Sequence, residues 1–145
     1  MEKNYNDIVE LLLEKPCWVI DLLPMRVPQD SAGQFFNVER YYRQEPRHEG
    51  LCRRFADVLL RLNCYHDLLV NHNDEWVKNP APDALAIWLA ASLHNSHLRV
   101  LVNDGDALIT ADGGDTHVLL FNPSESLRQL VRQLAAAAGL FLWKA

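Results

Sequence analysis

The chain of 145 residues and 16.6 kDa suits one compact domain and is too short for two well-packed ones. Its 49% hydrophobic and 23% charged content is ordinary for a soluble globular protein, and a formal net charge of −5 argues against general binding to nucleic acid or anionic lipid. No apolar run approaches the roughly 18–20 residues that cross a bilayer, and Met1-Glu2-Lys3-Asn4 is not a basic stretch feeding an apolar one, so no membrane partner and a cytoplasmic location are expected.

Tyr5, Ile8, Val9, Leu12 and Leu13 recur at helical spacing, with Asn4 or Asn6 as cap and Pro16 as stop, so a short helix opens the chain. Residues 17–23 are too short for a core helix and rich in β-formers, and read as a strand closed by Pro24. A loop follows to Gly33, then one or two helical turns over the aromatic segment 35–42. Leu51, Phe55, Val58, Leu59 and Leu62 line one face of an amphipathic helix whose other side carries Arg53, Arg54, Asp57 and Arg61. Residues 65–70 read as a second strand and 71–75 as a polar loop. Pro80 and Pro82 start another helix, striped by Leu85, Trp88, Leu89 and Leu93.

Asp104-Gly105 and Gly113-Gly114 are two-residue hairpin signals, giving antiparallel strands near 98–103, 106–112 and 115–121. Tight closure pairs Asn103 with Asp106 and Asp112 with Asp115, which fixes the faces. Leu98, Val100, Val102, Ala107, Ile109, Ala111, Thr116, Val118 and Leu120 make an apolar, buried face. The opposite face carries the rows Arg99–Thr110–His117, Leu101–Leu108–Leu119 and Asn103–Asp106–Phe121. Asn122-Pro123-Ser124-Glu125 reads as the cap of a last helix ended by Gly139, with a final strand over 140–143 parallel to strand 115–121. The expected fold is α+β: a mixed sheet of about six strands, including a C-terminal antiparallel three-stranded meander, with helices packed on one face.

The landmarks Lys15-Pro16-Cys17-Trp18-Val19-Ile20-Asp21, Ala107-Leu108-Ile109-Thr110, Asp115-Thr116 and Asn122-Pro123-Ser124-Glu125 through Gly139-Leu140-Phe141-Leu142-Trp143 resemble those of an uncharacterised family of small proteins from anaerobic Gram-positive bacteria. The resemblance spans nearly the whole chain. It implies no activity and transfers no functional residue.

Cys17, Cys52 and Cys64 cannot all pair and form no Cys-x-x-Cys unit, so reduced, largely buried thiols are expected. His94 and His97, at i, i+3 near a helix end, have metal-pair spacing, but two imidazoles there equally serve the exposed carbonyls. Cys64 and His66 could form a nucleophile–base pair or be structural. The aspartates of the two hairpin turns lie at opposite ends of one strand, so turn chemistry accounts for them. Gly113-Gly114 lacks the residues of a phosphate loop. Asp21, the lone charge in 17–23, is either an aimed carboxylate or a solvated one.

Residues 40–61 sum to +3 and residues 62–127 to −7, a segregation that could guide docking or simply mark solvated faces. Leu101, Leu108, Leu119 and Phe121, four large apolar side chains opposite the predicted core, lead to the first reading: a protein-interaction or regulatory module that self-associates as a homodimer. A small-molecule-binding protein or enzyme using Arg99, Thr110 and His117 with a carboxylate such as Asp21 is the alternative. A nucleic-acid contact through the Arg-rich helix with Tyr41 and Tyr42 ranks third, against the net acidity. No metal or other cofactor is expected.

Overall fold

The structure, a computed structural model, describes residues 4–145. Helix α1 (Tyr5–Leu12) leads into strand β1 (Cys17–Asp21), a 3-10 turn (Gln29–Ser31), and helices α2 (Ala32–Arg43) and α3 (Arg47–Leu62). The hairpin β2 (Leu68–His72) and β3 (Glu75–Lys78) precedes α4 (Pro82–Asn95) and the meander β4 (His97–Val102), β5 (Ala107–Asp112) and β6 (His117–Phe121); α5 (Glu125–Ala137) and β7 (Phe141–Lys144) close the chain. No described helix is long and apolar enough to cross a membrane.

The fold is α+β, built on one seven-stranded sheet in the order β3-β2-β4-β5-β6-β1-β7. Every neighbouring pair is antiparallel, so the sheet is not mixed. Strands β6 and β7 do run in the same direction, as a helical crossover requires, but β1 is inserted between them and hydrogen-bonds to both. The additional strand is β3, which starts at Glu75, the last residue of the expected polar loop, and runs through residues 76–78, to which the sequence reading assigns no element. Asn73 and Asp74 take left-handed conformations (φ 51° and 64°), the geometry of a type I′ turn, and join His72 to Glu75 as a tight hairpin.

One sheet face buries Ile20, Val70, Val100, Ile109, Val118 and Leu120 under Leu51, Phe55 and Leu59 of α3, Leu85 and Leu89 of α4, and Leu127 and Val131 of α5. The apolar face expected of the meander is therefore the main core. Helices do not occupy that face alone, however. Val9 and Leu12 of α1 pack on the opposite face with Leu69, Leu101, Leu108 and Phe121, joined by Leu119 and Trp76. Leu101 and Leu108 are fully buried and Phe121 is 8% exposed. The surface read from sequence as a self-association face is thus an internal second core, filled by the chain's own first helix.

The register of the meander departs from expectation at its second turn. Between β4 and β5 the pairing Arg99↔Thr110 and Leu101↔Leu108 agrees with the turn signal. Between β5 and β6, Thr110 pairs with Leu119 and Leu108 with Phe121, a displacement of two residues. A two-residue shift preserves the faces and changes the neighbours. Its cause lies in the glycines. Gly113 N–H donates to Ser96 O at 2.7 Å and Gly114 N–H to Leu93 O at 3.3 Å, so this bend is spent on the α4–β4 junction and not on a tight hairpin. A Cβ on Gly113 would lie 2.9 Å from the Ser96 backbone nitrogen. Gly113→Ala should therefore lower stability by about 1–3 kcal/mol in denaturant unfolding, while Gly33→Ala, with nothing within 4 Å, serves as the comparison.

The start of α5 also differs from its expected form. Ser124 Oγ, not the Asn122 side chain, accepts the Leu127 N–H at 3.2 Å. Asn122 instead adopts φ 59° and donates through Nδ2 to Asp106 O at 3.1 Å. Gly139, at φ 75°, ends the helix as its position predicts.

Candidate functional site

The insertion of β1 between β6 and β7 creates a pairing that local sequence does not announce. Asp21 stands opposite His117 on one side and Phe141 on the other, while Val19 stands opposite Leu119 and Trp143. Alternation therefore sets Asp21, His117, Val19 and Trp143 on one face. They lie beyond the part of that face that α1 fills. The segment after β1 folds back over them: Met25, Arg26, Val27, Pro28 and Gln29, with Phe35 of α2, complete a cavity of about 290 Å³.

The cavity wall is mostly apolar, which makes its few polar groups conspicuous. Asp21 Oδ1 accepts the Leu22 N–H at 2.7 Å. Burial pushes the Asp21 carboxyl above its usual range, opposed by the Leu22 N–H, the neighbouring His117 charge, the Leu23 N–H and the Trp143 indole. His117 Nε2 lies 3.8 Å from Asp115 Oδ2, so the imidazole is flanked by two carboxylates. Trp143 Nε1 is the one buried side-chain nitrogen or oxygen without a hydrogen-bond partner among the described residues. Its N–H is near enough to bias the Asp21 carboxyl yet falls outside hydrogen-bond geometry.

Because the folded carboxyl of Asp21 titrates above its unfolded value of 3.8, the native state holds that proton more tightly. Its ionisation then subtracts stability as pH rises through the carboxylate range, and none of that loss is present well below pH 3.8. Without ligand, Asp21→Asn should raise the unfolding free energy at pH 7 by under about 1 kcal/mol, because the group is partly open to solvent, seen as a small rise in Tm that vanishes in strong acid.

Arg99, Thr110 and His117 do not form one row. Thr110 is buried beside Arg99 and Leu119. Arg99 Nη1 is held by Asp112 Oδ1 and by Leu98 O, each at 3.1 Å, and the residue lines a different, polar cleft of about 470 Å³ with Asn71, His72, Trp88 and His97. In that cleft the His72 ring stacks on Trp88 with centroids 4.1 Å apart. Only His117 of the three reaches the Asp21 cavity.

The remaining sequence candidates separate. His94 lies on α4 and His97 on β4, so the helical i, i+3 relation is broken; His94 faces His48 instead, with centroids 5.7 Å apart. No group of three or more His, Cys, Asp or Glu able to hold a metal occurs among the described residues. Cys64 is exposed, contrary to expectation, and its Sγ donates to Leu60 O at 3.7 Å, while His66 Nδ1 is 2.7 Å from Asn103 Nδ2. Tyr41, 53% exposed, carries the Arg47 guanidinium 3.8 Å above one face of its ring, and Tyr42 packs against the core.

One constellation went unread in the sequence. On α3, Cys52 Sγ is 3.7 Å from His48 Nδ1, which is 3.5 Å from Glu45 Oε1. The i, i+4 spacing of His48 and Cys52 was the available signal. Burial, aided by Glu45 and Glu49, pushes the Cys52 thiol up to about 11, which disfavours the thiolate.

Comparison with protein-family models, curated proteins and solved structures finds no match to this chain.

Proposed function

We propose that this chain is a small-molecule-binding protein whose site is the cavity between β1, β6, β7 and the segment 25–35. The observation that carries this reading is the cavity itself, about 290 Å³ and mostly apolar, with the half-buried Asp21 carboxyl and His117 side by side on its wall. The residues lining the cavity include no Ser, Thr, Cys or Lys, so Asp21 and His117 stand there without a side-chain nucleophile beside them and no reaction step is assigned. A self-associating module acting through Leu101, Leu108, Leu119 and Phe121 is not favoured, since α1 covers that face.

A thermal-shift screen of small, mostly apolar compounds tests the reading. Stabilisation by a hit should fall in His117→Ala and persist in Arg99→Ala, whose side chain lines the other cleft. No stabilising compound, or equal stabilisation in both variants, overturns it.

A further inference from the structure

The cleft of about 470 Å³ shares no lining residue with the Asp21 cavity and is built differently. It lies where β2 ends and β4 begins. Asn71 stands opposite Arg99 in the ladder, and alternation sets His97 on the same face as both, beyond the Leu69 and Leu101 that α1 covers. Asn6, in the first turn of α1, and Trp88 of α4 line it as well. The His72 ring holds Trp88 in place, stacked on it within 9° of parallel.

Most of the polar groups here are unspent. Asn6, Asn71, Asp74, Ser96 and His97 make no side-chain hydrogen bond or ion pair among the described residues. A carboxamide and a hydroxyl each donate and accept, an imidazole can do either, and a carboxylate accepts, so the lining mixes both kinds of group. Charge is balanced as well. Arg99 and Asp74 are the two formal charges on the lining among the described residues, one of each sign, and Asp112 Oδ1 already pairs with Arg99 Nη1 at 3.1 Å.

We infer that this cleft binds a neutral pyranose sugar, its hydroxyls exchanging hydrogen bonds with the Asn6 and Asn71 carboxamides, Asp74 and His97, and one C–H face lying on the Trp88 side. The match is in the kind of group. A sugar hydroxyl is served by partners that donate and accept together, which carboxamides do and a cluster of cations does not. A pyranose also presents a C–H face whose slight positive charge suits the negative face of an aromatic ring. An anion would meet Asp74 and an arginine already paired, and an apolar compound would strip water from these polar side chains without replacing it. The site is independent of the apolar cavity and of the reading given to it.

The probes are the methyl pyranosides of glucose, galactose and mannose, with cyclohexanol and inorganic phosphate as comparisons, titrated into the full chain while NMR follows the Trp88 indole N–H and the Asn71 side-chain amide. Cyclohexanol keeps a ring and one hydroxyl; phosphate is the anion. At least one pyranoside should give saturable shifts of both signals and bind about tenfold or more tighter than cyclohexanol, because each added hydrogen bond contributes roughly two- to tenfold. Phosphate should shift neither. Asn6→Ala and His97→Ala, at exposed positions with no side-chain bond to lose among the described residues, should keep the fold and each weaken that pyranoside by roughly two- to tenfold. Failure of all three pyranosides to shift Trp88 and Asn71 overturns the site. Cyclohexanol or phosphate binding as tightly as the best pyranoside overturns the ligand class, and so does a pyranoside affinity that neither substitution changes.

Discussion

Leu108→Ala is expected to cost about 2–5 kcal/mol of unfolding free energy, the range for removing a fully buried leucine from a packed site. Leu108 is opposite Leu101 on β4 and Phe121 on β6, in the layer beneath α1. Little can collapse into the space it would vacate: the sheet fixes its neighbours on both sides, and Val9 and Leu12 are held on a helix above. Chemical denaturation with an unchanged m-value would report the loss. A cost below about 1 kcal/mol would mean that the side chain is open to water, as an uncovered interaction face would require.

That contrast marks how far the sequence could be read. Alternation alone put Leu101, Leu108 and Phe121 on the face opposite Val100, Ile109 and Leu120, and the structure keeps that division. What alternation cannot say is which element covers a face. The stripe of α1 was legible as Tyr5, Ile8, Val9 and Leu12, and so was the second sheet face, but docking one upon the other is a contact between distant segments with no local signature. The same limit hid the candidate site. Asp21 stood out as a lone charge and His117 as a sheet histidine, yet their pairing depends on β1 entering between β6 and β7, which no turn or spacing dictates.

Local signals misled where a residue had a second use. Gly113-Gly114 has the composition of a two-residue hairpin, but its amides serve Ser96 and Leu93, and this moves His117 away from Thr110, while β1 sets Asp21 opposite it. Asn73-Asp74 lacks the glycine of the other hairpin signals, although Asn and Asp tolerate the left-handed region that the turn to β3 needs. In sequence Trp143 is only part of a closing strand. Nothing in its sequence neighbourhood distinguishes an indole that is satisfied from one that is not, because that depends on the positions of residues more than a hundred places earlier.

Leu12→Asp is the substitution expected to change behaviour most. At 5% exposure Leu12 is the better buried of the two α1 anchors, and an aspartate there would put an unpaired carboxylate against Leu101 and Leu108. Helix α1 has only eight residues, too few to be stable alone in water, so its helicity depends on the face it covers. The sheet beneath is closed by its own ladder and by the larger core on the opposite side. The cheaper response is therefore release of α1 and not global unfolding. Release bares Leu69, Leu101, Leu108 and Phe121 together, the contiguous apolar patch that drives association. Light scattering should show a mass that rises with concentration in Leu12→Asp beyond that of the unaltered chain, with helical signal reduced by about one short helix and the β-sheet signal kept. Exposed Leu11, at 63%, gives the matched control: Leu11→Asp should leave both mass and helicity unchanged. If the two aspartates behave alike, α1 does not hold this face closed, and the apolar surface would be available for self-association in the native chain.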